Sequence, residues 1–331
     1  EALLQTADGG KFSARYYGDA NGKAELKNEE QAMHVVNAVT GKPFTVGNIK
    51  RGKKKRTAAP PFITSTLQQE ASRKLNMTPR RTMSIAQELY EGIELGEYGL
   101  TGLITYMRTD SVTLSQEAIA AAREAVVKHF GENYLSDAPK QYATKTAGAQ
   151  EAHECIRPAG AKFRDPAEIA SKVPADQLKL YTLIWQRTLA CQMADATGST
   201  ATVRLSASTE SNGEAMFQAS GTVIEFPGFM KATGEGRRAS AESKKGDAAG
   251  SVEQAAQSGK SSKADKKSDD NVSLPPMNPG DALAAVAVGA DGHETQPPAR
   301  YTEASLVRAM EERGIGRPST YAPTISTIET R

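Results

Sequence analysis

Apolar side chains recur along the chain with two different periods, which predict a helical middle and β-rich flanks. Between residues 60 and 192 they lie three or four positions apart, as on one face of an amphipathic helix. Helices are predicted over 67–75, from Pro79, over 114–130 and over 177–191. The last of these carries apolar and aromatic residues at helical spacing that are predicted to lie in the core, namely Leu178, Tyr181, Trp185 and Leu189.

The flanks alternate between apolar and polar residues, which is typical of strands with one buried face. Strands are predicted over 11–17, 201–207, 217–223 and 281–288. Helices interrupt this pattern over 28–39 and from Thr302 to Gly314, and a further helix start is predicted near Tyr321.

Local residue pairs predict where two of the middle helices begin. Ser65 and Gln68 have the spacing of a capping box before the helix at 67–75. Thr78 precedes Pro79, and proline is favoured at the first position of a helix. A capped start is therefore expected for both helices.

Residues 237–273 differ in composition from the rest of the chain. The segment has no aromatic residue and is rich in Ala, Ser, Gly, Lys and Asp. Such a segment buries too little apolar surface to offset the entropy of ordering it. We therefore expect a disordered insert between two strands.

Bulk composition limits the classes of protein that fit. The 331 residues exceed a typical single domain, and the net charge of +2 gives no global case for nucleic acid. A local case exists at residues 50–56, where six of seven residues are basic; a solvated loop and a phosphate-binding surface fit this cluster equally well.

Two isolated cysteines and the absence of a membrane-length apolar run favour a reduced, cytoplasmic protein. The chain has no initiator Met, begins within a predicted sheet and ends within a helical pattern. We therefore expect a piece of a longer protein.

The segment 102–111 carries the main candidate chemistry. It is predicted to be a short strand running into a polar turn, with Ile104, Tyr106 and Arg108 on one face. A tyrosine is a poor nucleophile while protonated, because its ordinary pKa is about 10, and a neighbouring guanidinium stabilises the phenolate and pairs with phosphate. The pattern fits covalent attack on phosphate, although a packing role for Tyr106 is the commoner one.

Four further blocks agree with this segment and give it a family context. The five occur in the order 61–70 (PFITSTLQQE), 86–91 (AQELYE), 104–111 (ITYMRTDS), 150–158 (QEAHECIRP) and 313–321 (RGIGRPSTY). Together they resemble bacterial DNA topoisomerase I, the type IA family, over nearly the whole chain outside the insert. Met107 favours topoisomerase I over topoisomerase III.

The resemblance implies an α+β multidomain fold in which a helical gate domain carrying the tyrosine is inserted in a β-rich hinged arch, with parts of a helical base domain. The expected ranges are 1–40 and 301–331 for the base, 41–59 and 193–300 for the arch, and 60–192 for the gate.

The resemblance also assigns roles to individual residues. Tyr106 would form a 5′-phosphotyrosine in a single DNA strand, and Arg108 would hold the scissile phosphate. The supporting residues would be Asp110, His153, Glu91 and Gln87, and the DNA-binding residues Arg317 and Thr320. The basic cluster adds Lys53, Lys54 and Arg56 as DNA-binding candidates. Structural roles remain open for most of these: a hydrogen-bonded His153, for example, or a solvated helix face with Gln87 and Glu91.

The family's Toprim domain, which supplies Mg²⁺ ligands and a catalytic Glu, has no counterpart in this sequence, and neither do the C-terminal zinc ribbons. The resemblance therefore implies a Mg²⁺-dependent, ATP-independent enzyme of which this chain holds half the active site and does not relax supercoils alone. Its partner would be single-stranded DNA in a negatively supercoiled duplex, and it would be a monomer at the bacterial nucleoid.

Two other classes stay open: a non-catalytic single-stranded DNA-binding module, and a tyrosine recombinase, which forms a 3′ linkage from a helix-borne tyrosine. A tyrosine on a strand with only Arg108 beside it disfavours the recombinase.

Overall fold

The computed structural model describes residues 1–143, 153–209, 213–235 and 273–331. The chain divides into two compact units. The barrel unit comprises Glu1–Lys55, Thr197–Phe226 and Ala239–Ala299, and the helical unit comprises Arg56–Ala196, Pro227–Arg238 and Arg300–Arg331.

The described strands are β1 (Ala2–Gln5), β2 (Lys11–Asp19), β3 (Gly22–Lys23), β4 (Phe44–Arg56), β5 (Ile93–Glu94), β6 (Leu100–Thr101), β7 (Ala196–Ser208), β8 (Glu214–Phe226) and β9 (Ala282–Val288). The described helices are α1 (Glu29–Val39), α2 (Thr64–Leu75), α3 (Pro79–Glu91), α4 (Gln116–Phe130), α5 (Pro166–Ile169), α6 (Ala175–Ala190), α7 (Met230–Thr233), α8 (Glu303–Glu312) and α9 (Tyr321–Thr330).

The barrel unit is built on one sheet that closes on itself. Its strand order is β1-β9-β4-β7-β8-β2-β3, and β1 also pairs with β2, so that six strands form a ring. The predicted alternation is confirmed along β7, where Val203, Leu205 and Ala207 are buried. Inside the ring, Phe217 contacts Phe44 edge-on with ring centroids 5.1 Å apart. Closure satisfies the edges that an open sheet would expose.

The helical unit has a separate core. As predicted, Tyr181, Trp185 and Leu189 of α6 are buried in it. Helix α2 packs against α3, α6 and α8, and α9 packs against α3. The two C-terminal helices therefore belong to the same compact unit as α2 and α3.

This division differs from the domain ranges expected from the sequence. Residues 1–40 do not stand apart from the β-rich segments, because β1 pairs with β9 and β2 pairs with β8. Residues 301–331 pack on the helices instead of forming a separate unit. The unit boundaries fall at 55/56 and 196/197, where we expected 59/60 and 192/193.

The helix starts are partly as predicted. Thr78 caps α3 by accepting the N–H of Arg81, and Thr302 caps α8 by accepting the N–H of Ser305, at 3.2 Å each. The capping box at Ser65 is wrong, because the N-cap of α2 is Ile63, two residues earlier, and the helix begins at Thr64. Ser65 is buried inside the first turn instead.

The basic cluster also lies in regular structure, because residues 50–56 form the end of strand β4. The proposed insert at 237–273 falls almost wholly outside the described residues. Of the helices that the structure describes, none combines the length and apolar character that a bilayer span requires.

Candidate active site

The segment that carries Tyr106 is irregular, and the predicted strand is wrong. Strand β6 ends at Thr101, and beyond it a single bridge joins Ile104 to Pro158. Ile104 is buried in the core, Tyr106 is half-buried and Arg108 is exposed. Ile104 is therefore separate from Tyr106 and Arg108, which alternate with the buried residues Met107 and Thr109.

Individual hydrogen bonds to three other parts of the helical unit hold this segment. The N–H of Leu103 donates to the carbonyl of Leu89 at the end of α3, at 2.7 Å, and the N–H of Thr105 donates to the carbonyl of Arg157, at 2.9 Å. At the start of α2, the N–H of Thr64 donates to the carbonyl of Thr109, at 2.9 Å. The position of Tyr106 thus depends on residues far away in the sequence.

Two rings flank the side chain of Tyr106. Tyr90 packs against it in a T-shaped arrangement with centroids 5.3 Å apart, and the imidazole of His153 lies 5.5 Å away. The structure therefore places His153 beside the tyrosine. Tyr90 was not singled out from the sequence, although an aromatic residue on the polar side of α3 was a usable indication.

Arg108 belongs to a chain of hydrogen bonds along α3. Its guanidinium donates to Oε1 of Gln87 at 3.4 Å, and the Gln87 amide donates to Oε1 of Glu91 at 2.6 Å. Gln87 and Glu91 share one helix face, as their spacing predicted. The three polar side chains thus occupy one continuous surface.

Arg108 and Gln87 also line an open cavity of about 540 Å³ within the helical unit. The opposite wall comes from the residues before and within α9, including Pro318 and Ser319. Arg80 contributes a second guanidinium to the lining. A cavity with two guanidinium groups and a few hydroxyls suits an anionic ligand such as phosphate.

Asp110 and Arg317 both act on the buried ring of Tyr321 at the start of α9. The pKa of Tyr321 is raised by burial and by the carboxylates of Glu311 and Asp110, while Arg317 acts in the opposite direction. Thr320 is exposed, and its hydroxyl accepts the N–H of Arg317 at 2.8 Å. Asp110, Arg317 and Thr320 therefore belong to the same helical unit as Tyr106.

An ion pair between the buried Arg157 and the half-buried Glu154 secures the chain just after His153. Arg157 binds Glu154 with Nε at 2.7 Å and Nη2 at 2.6 Å. The same carboxylate accepts the N–H of Ser115, the N-cap residue of α4, at 3.0 Å. The sequence did not predict this arrangement, because partners in other elements cannot be seen in a local pattern.

The remaining DNA-binding candidates lie on strand β4. Lys53 is exposed and Lys54 is half-buried, and both belong to the barrel unit. Arg56 begins the helical unit and pairs with Glu235 at 3.4 Å. Two of the three candidates therefore belong to the barrel unit and one to the helical unit.

Neither metal ligands nor reactive thiols complete the candidate site. Across residues 1–143, 153–209, 213–235 and 273–331, no three His, Cys, Asp or Glu side chains cluster closely enough to hold a metal ion. Burial raises the pKa of Cys155 well above its usual range and that of Cys191 to about 12, so both thiols stay protonated near neutral pH. The side chains near Tyr106 therefore do not fit a Mg²⁺ site by themselves.

Comparisons with known proteins agree on one family. A family model described as DNA topoisomerase matches residues 3–331. DNA topoisomerase 1 of Mycolicibacterium smegmatis is 43% identical over 100% of this chain and 33% of its own length. DNA topoisomerase 1 of Synechocystis is 45% identical over 99% of this chain and 33% of its own length.

Among solved structures, full-length topoisomerase I from Thermotoga maritima superposes with a TM-score of 0.69 at 32% identity, covering 98% of this chain and 45% of that one. The chain spans about a third of the length of the curated relatives it matches.

Proposed function

Because this chain belongs to the bacterial DNA topoisomerase I family, the type IA enzymes, we propose that it supplies the tyrosine half of a DNA-cleaving active site. In the complete enzyme, Tyr106 would cut and rejoin one strand of DNA through a 5′-phosphotyrosine and thereby relax negative supercoils without ATP. The substrate would be a single-stranded segment of a negatively supercoiled duplex. The enzyme would act as a monomer in the bacterial cytoplasm, at the nucleoid.

One observation carries the proposal. Tyr106 is half-buried between Tyr90 and His153 in a segment fixed by hydrogen bonds, and Arg108 lines the adjoining cavity. The nucleophile and the cation that must meet one phosphate therefore come from residues two apart in a held backbone. Such pre-organisation reduces the entropic cost of reaching the transition state.

In the cleavage step, the phenolic oxygen of Tyr106 attacks phosphorus and the bond to the 3′-oxygen breaks. The phenolic proton passes to solvent or to a base, and the leaving oxygen takes up a proton to become a 3′-hydroxyl. Arg108 donates hydrogen bonds to the phosphate oxygens as negative charge builds up on them. Its contact with Gln87 holds the guanidinium toward the cavity.

Rejoining is the reverse of this step, with the 3′-hydroxyl attacking the phosphotyrosine. The ester keeps the energy of the phosphodiester, which explains why no ATP is needed. Asp110, His153, Glu91 and Gln87 would support the geometry, and Arg317 and Thr320 would contact DNA.

Mg²⁺ used by the complete enzyme would need ligands from outside the described residues, since the carboxylates Glu91 and Asp110 do not make a cluster with a third ligand. We expect the same of the group that protonates the leaving oxygen. This chain alone would bind DNA weakly and would not relax supercoiled plasmid.

The test uses a chimera in which this chain replaces the matching segment of M. smegmatis DNA topoisomerase 1. The chimera is incubated with a single-stranded oligonucleotide labelled at either its 3′ or its 5′ end, and covalent adducts are separated under denaturing conditions. A labelled protein band is expected with the 3′ label only, and Tyr106→Phe should abolish it. Tyr17→Phe makes the same chemical change in the barrel unit and should leave the band unchanged.

Each alternative has its own outcome. A band with the 5′ label would indicate a 3′ linkage, as in a tyrosine recombinase. Binding without any adduct would favour a non-catalytic single-stranded DNA-binding module. Relaxation of plasmid by this chain alone would contradict the half-site proposal.

A further inference from the structure

Thr64 makes an unusual set of contacts for the first residue of a helix. Its side chain is 0% exposed, and its hydroxyl lies 2.8 Å from the carbonyl of Met107 and 3.0 Å from the carbonyl of Thr109. The same hydroxyl accepts the N–H of Thr109 at 3.0 Å. Since a hydroxyl has one proton and two lone pairs, it donates to one of these carbonyls while accepting the amide.

These contacts hold the residues on both sides of Arg108. Met107 follows Tyr106 directly, and Met107 and Thr109 are the two neighbours of Arg108. Both neighbours are 2% exposed, whereas Arg108 is exposed and Tyr106 half-buried. Thr64 thus holds the buried residues of a segment whose alternate side chains reach the candidate site.

The backbone of Thr64 adds a further bond to the same place, with its N–H donating to the carbonyl of Thr109 at 2.9 Å. No strand pairing supports residues 105–111, because the last bridge lies at Ile104. Where a ladder is absent, individual side-chain bonds decide the backbone path.

We propose that Thr64 is a positioning residue for the cleavage reaction, acting through the backbone on Tyr106 and Arg108. The inference rests on the proposed function and adds a residue forty-two positions away from the tyrosine. Without the hydroxyl, the buried N–H of Thr109 loses a hydrogen-bond acceptor that water cannot replace, and the backbone of the segment becomes more mobile. Small displacements of reacting groups cost about 100-fold in rate. The rate of the chemical step should therefore fall more than the affinity for DNA.

The experiment compares Thr64→Val, Thr64→Ser and Thr82→Val in the chimera described above. Valine keeps the shape of threonine without the hydroxyl, and serine keeps the hydroxyl. Thr82 is the matched control: it is also 0% exposed in the adjoining helix, but its hydroxyl donates within the helix, to the carbonyl of Thr78 at 2.9 Å.

Single-turnover adduct formation and oligonucleotide affinity are measured for each variant. Thr64→Val should slow adduct formation about 10- to 100-fold with affinity changed less than about twofold. Thr64→Ser should recover to within about threefold of the unsubstituted chimera, and Thr82→Val should match it.

An equal rate in Thr64→Val and Thr82→Val would overturn the proposal, and so would parallel losses of rate and affinity. If Thr64→Ser were as slow as Thr64→Val, the methyl group and not the hydroxyl would matter, which also overturns it. If the unsubstituted chimera formed no adduct, the proposed function would fail, independently of Thr64.

A second measurement covers the case in which Thr64→Val does not fold. Amide hydrogen exchange is followed over residues 107–111 of the unsubstituted chimera. The Thr109 amide should exchange as slowly as amides within α3, because its acceptor is fully buried. Rapid exchange of that amide would contradict the proposal without any substitution.

Discussion

The barrel unit and the helical unit place their residues by different physical means. In the barrel, β7 and β8 pair without a register shift from Gly198 opposite Ile224 to Ser208 opposite Glu214, so each of these residues is located by its register. In the helical unit, the segment 102–111 has one bridge and is otherwise held by separate hydrogen bonds. A strand ladder fixes the backbone through many equivalent hydrogen bonds, whereas the position of the tyrosine segment depends on a few distinct ones.

The two cores also differ, which allows the units to be perturbed one at a time. In the barrel, the ring of Phe217 contacts the rings of Phe44 and Tyr16 edge-on. The helical core contains Trp185, the only tryptophan of the chain. Trp185 fluorescence therefore reports on the helical unit, while far-UV circular dichroism reports on both units.

The largest expected effect is that of Phe217→Ala in the barrel core. Phe217 is 1% exposed, and removing a buried phenylalanine costs about 3–5 kcal/mol of unfolding free energy. The circular dichroism transition should shift to lower urea concentration while the Trp185 transition keeps its midpoint. If both transitions moved together, the units would unfold as one and the comparison would fail.

The next effect is that of Arg108→Ala on chemistry. Loss of a cation at the phosphate should slow adduct formation in the chimera about 100- to 1,000-fold, measured as a single-turnover rate. Arg108→Lys keeps the charge but not the planar fork, so it should recover only part of the rate. Both variants should retain the unfolding midpoints of the unsubstituted chain, because Arg108 is exposed; a stability loss would mean that Arg108 has a structural role.

A smaller effect is expected for Arg157→Met, which leaves Glu154 without its bidentate partner. The Arg157 side chain is about 10% exposed, so the helical unit should lose about 1–3 kcal/mol by the Trp185 transition in urea. Arg308→Met is the matched control, because the Arg308–Glu312 pair is equally short, at 2.7 Å, but exposed. Equal effects of the two substitutions would show that burial of the ion pair does not matter.

The smallest effect is alkaline destabilisation of the helical unit, which contains both cysteines. Burial raises the pKa of Cys191 to about 12, so the folded chain keeps a thiol proton that the unfolded chain releases from about pH 9 upward. Stability is therefore complete below pH 9 and falls as the pH rises toward 12, by about 1 kcal/mol at pH 10 for this group.

Urea midpoints of the Trp185 transition between pH 7 and 10 check this slope. Cys191→Ser should reduce the slope, since a serine hydroxyl does not titrate in that range, and the remainder should come in part from Cys155, whose pKa burial also raises. An identical slope in this variant would exclude the thiol as its source.

Much of the fold could be predicted from local patterns. Helices α3, α4, α6 and α8 lie close to the predicted ranges, and β7 buries the predicted face. Periodicity succeeds here because one face of each element meets a core. It failed at Ser65, whose spacing to Gln68 suits a capping box, because the N-cap is Ile63, two residues earlier, and Thr64 directs its hydroxyl to Met107 and Thr109.

The candidate site, like the fold, was predicted from the sequence only in part. The five sequence blocks identified the family and the pair Tyr106 and Arg108, and the spacing of Gln87 and Glu91 correctly placed both on one helix face. The contacts of Thr64 and of the Arg157–Glu154 pair could not be predicted, because each joins residues of different elements, and the position of Tyr90 beside Tyr106 was missed.

By itself, the sequence determined most of the elements and the family, and it singled out Tyr106 as the proposed nucleophile, since these depend on residue type and spacing along the chain. Only the tertiary structure decided that residues 1–40 join the barrel, that α8 and α9 belong with α2 and α3, and that Tyr106 lies on an irregular segment. The reason is physical: strand partners and buried hydrogen bonds join residues distant in sequence, and no local period records them.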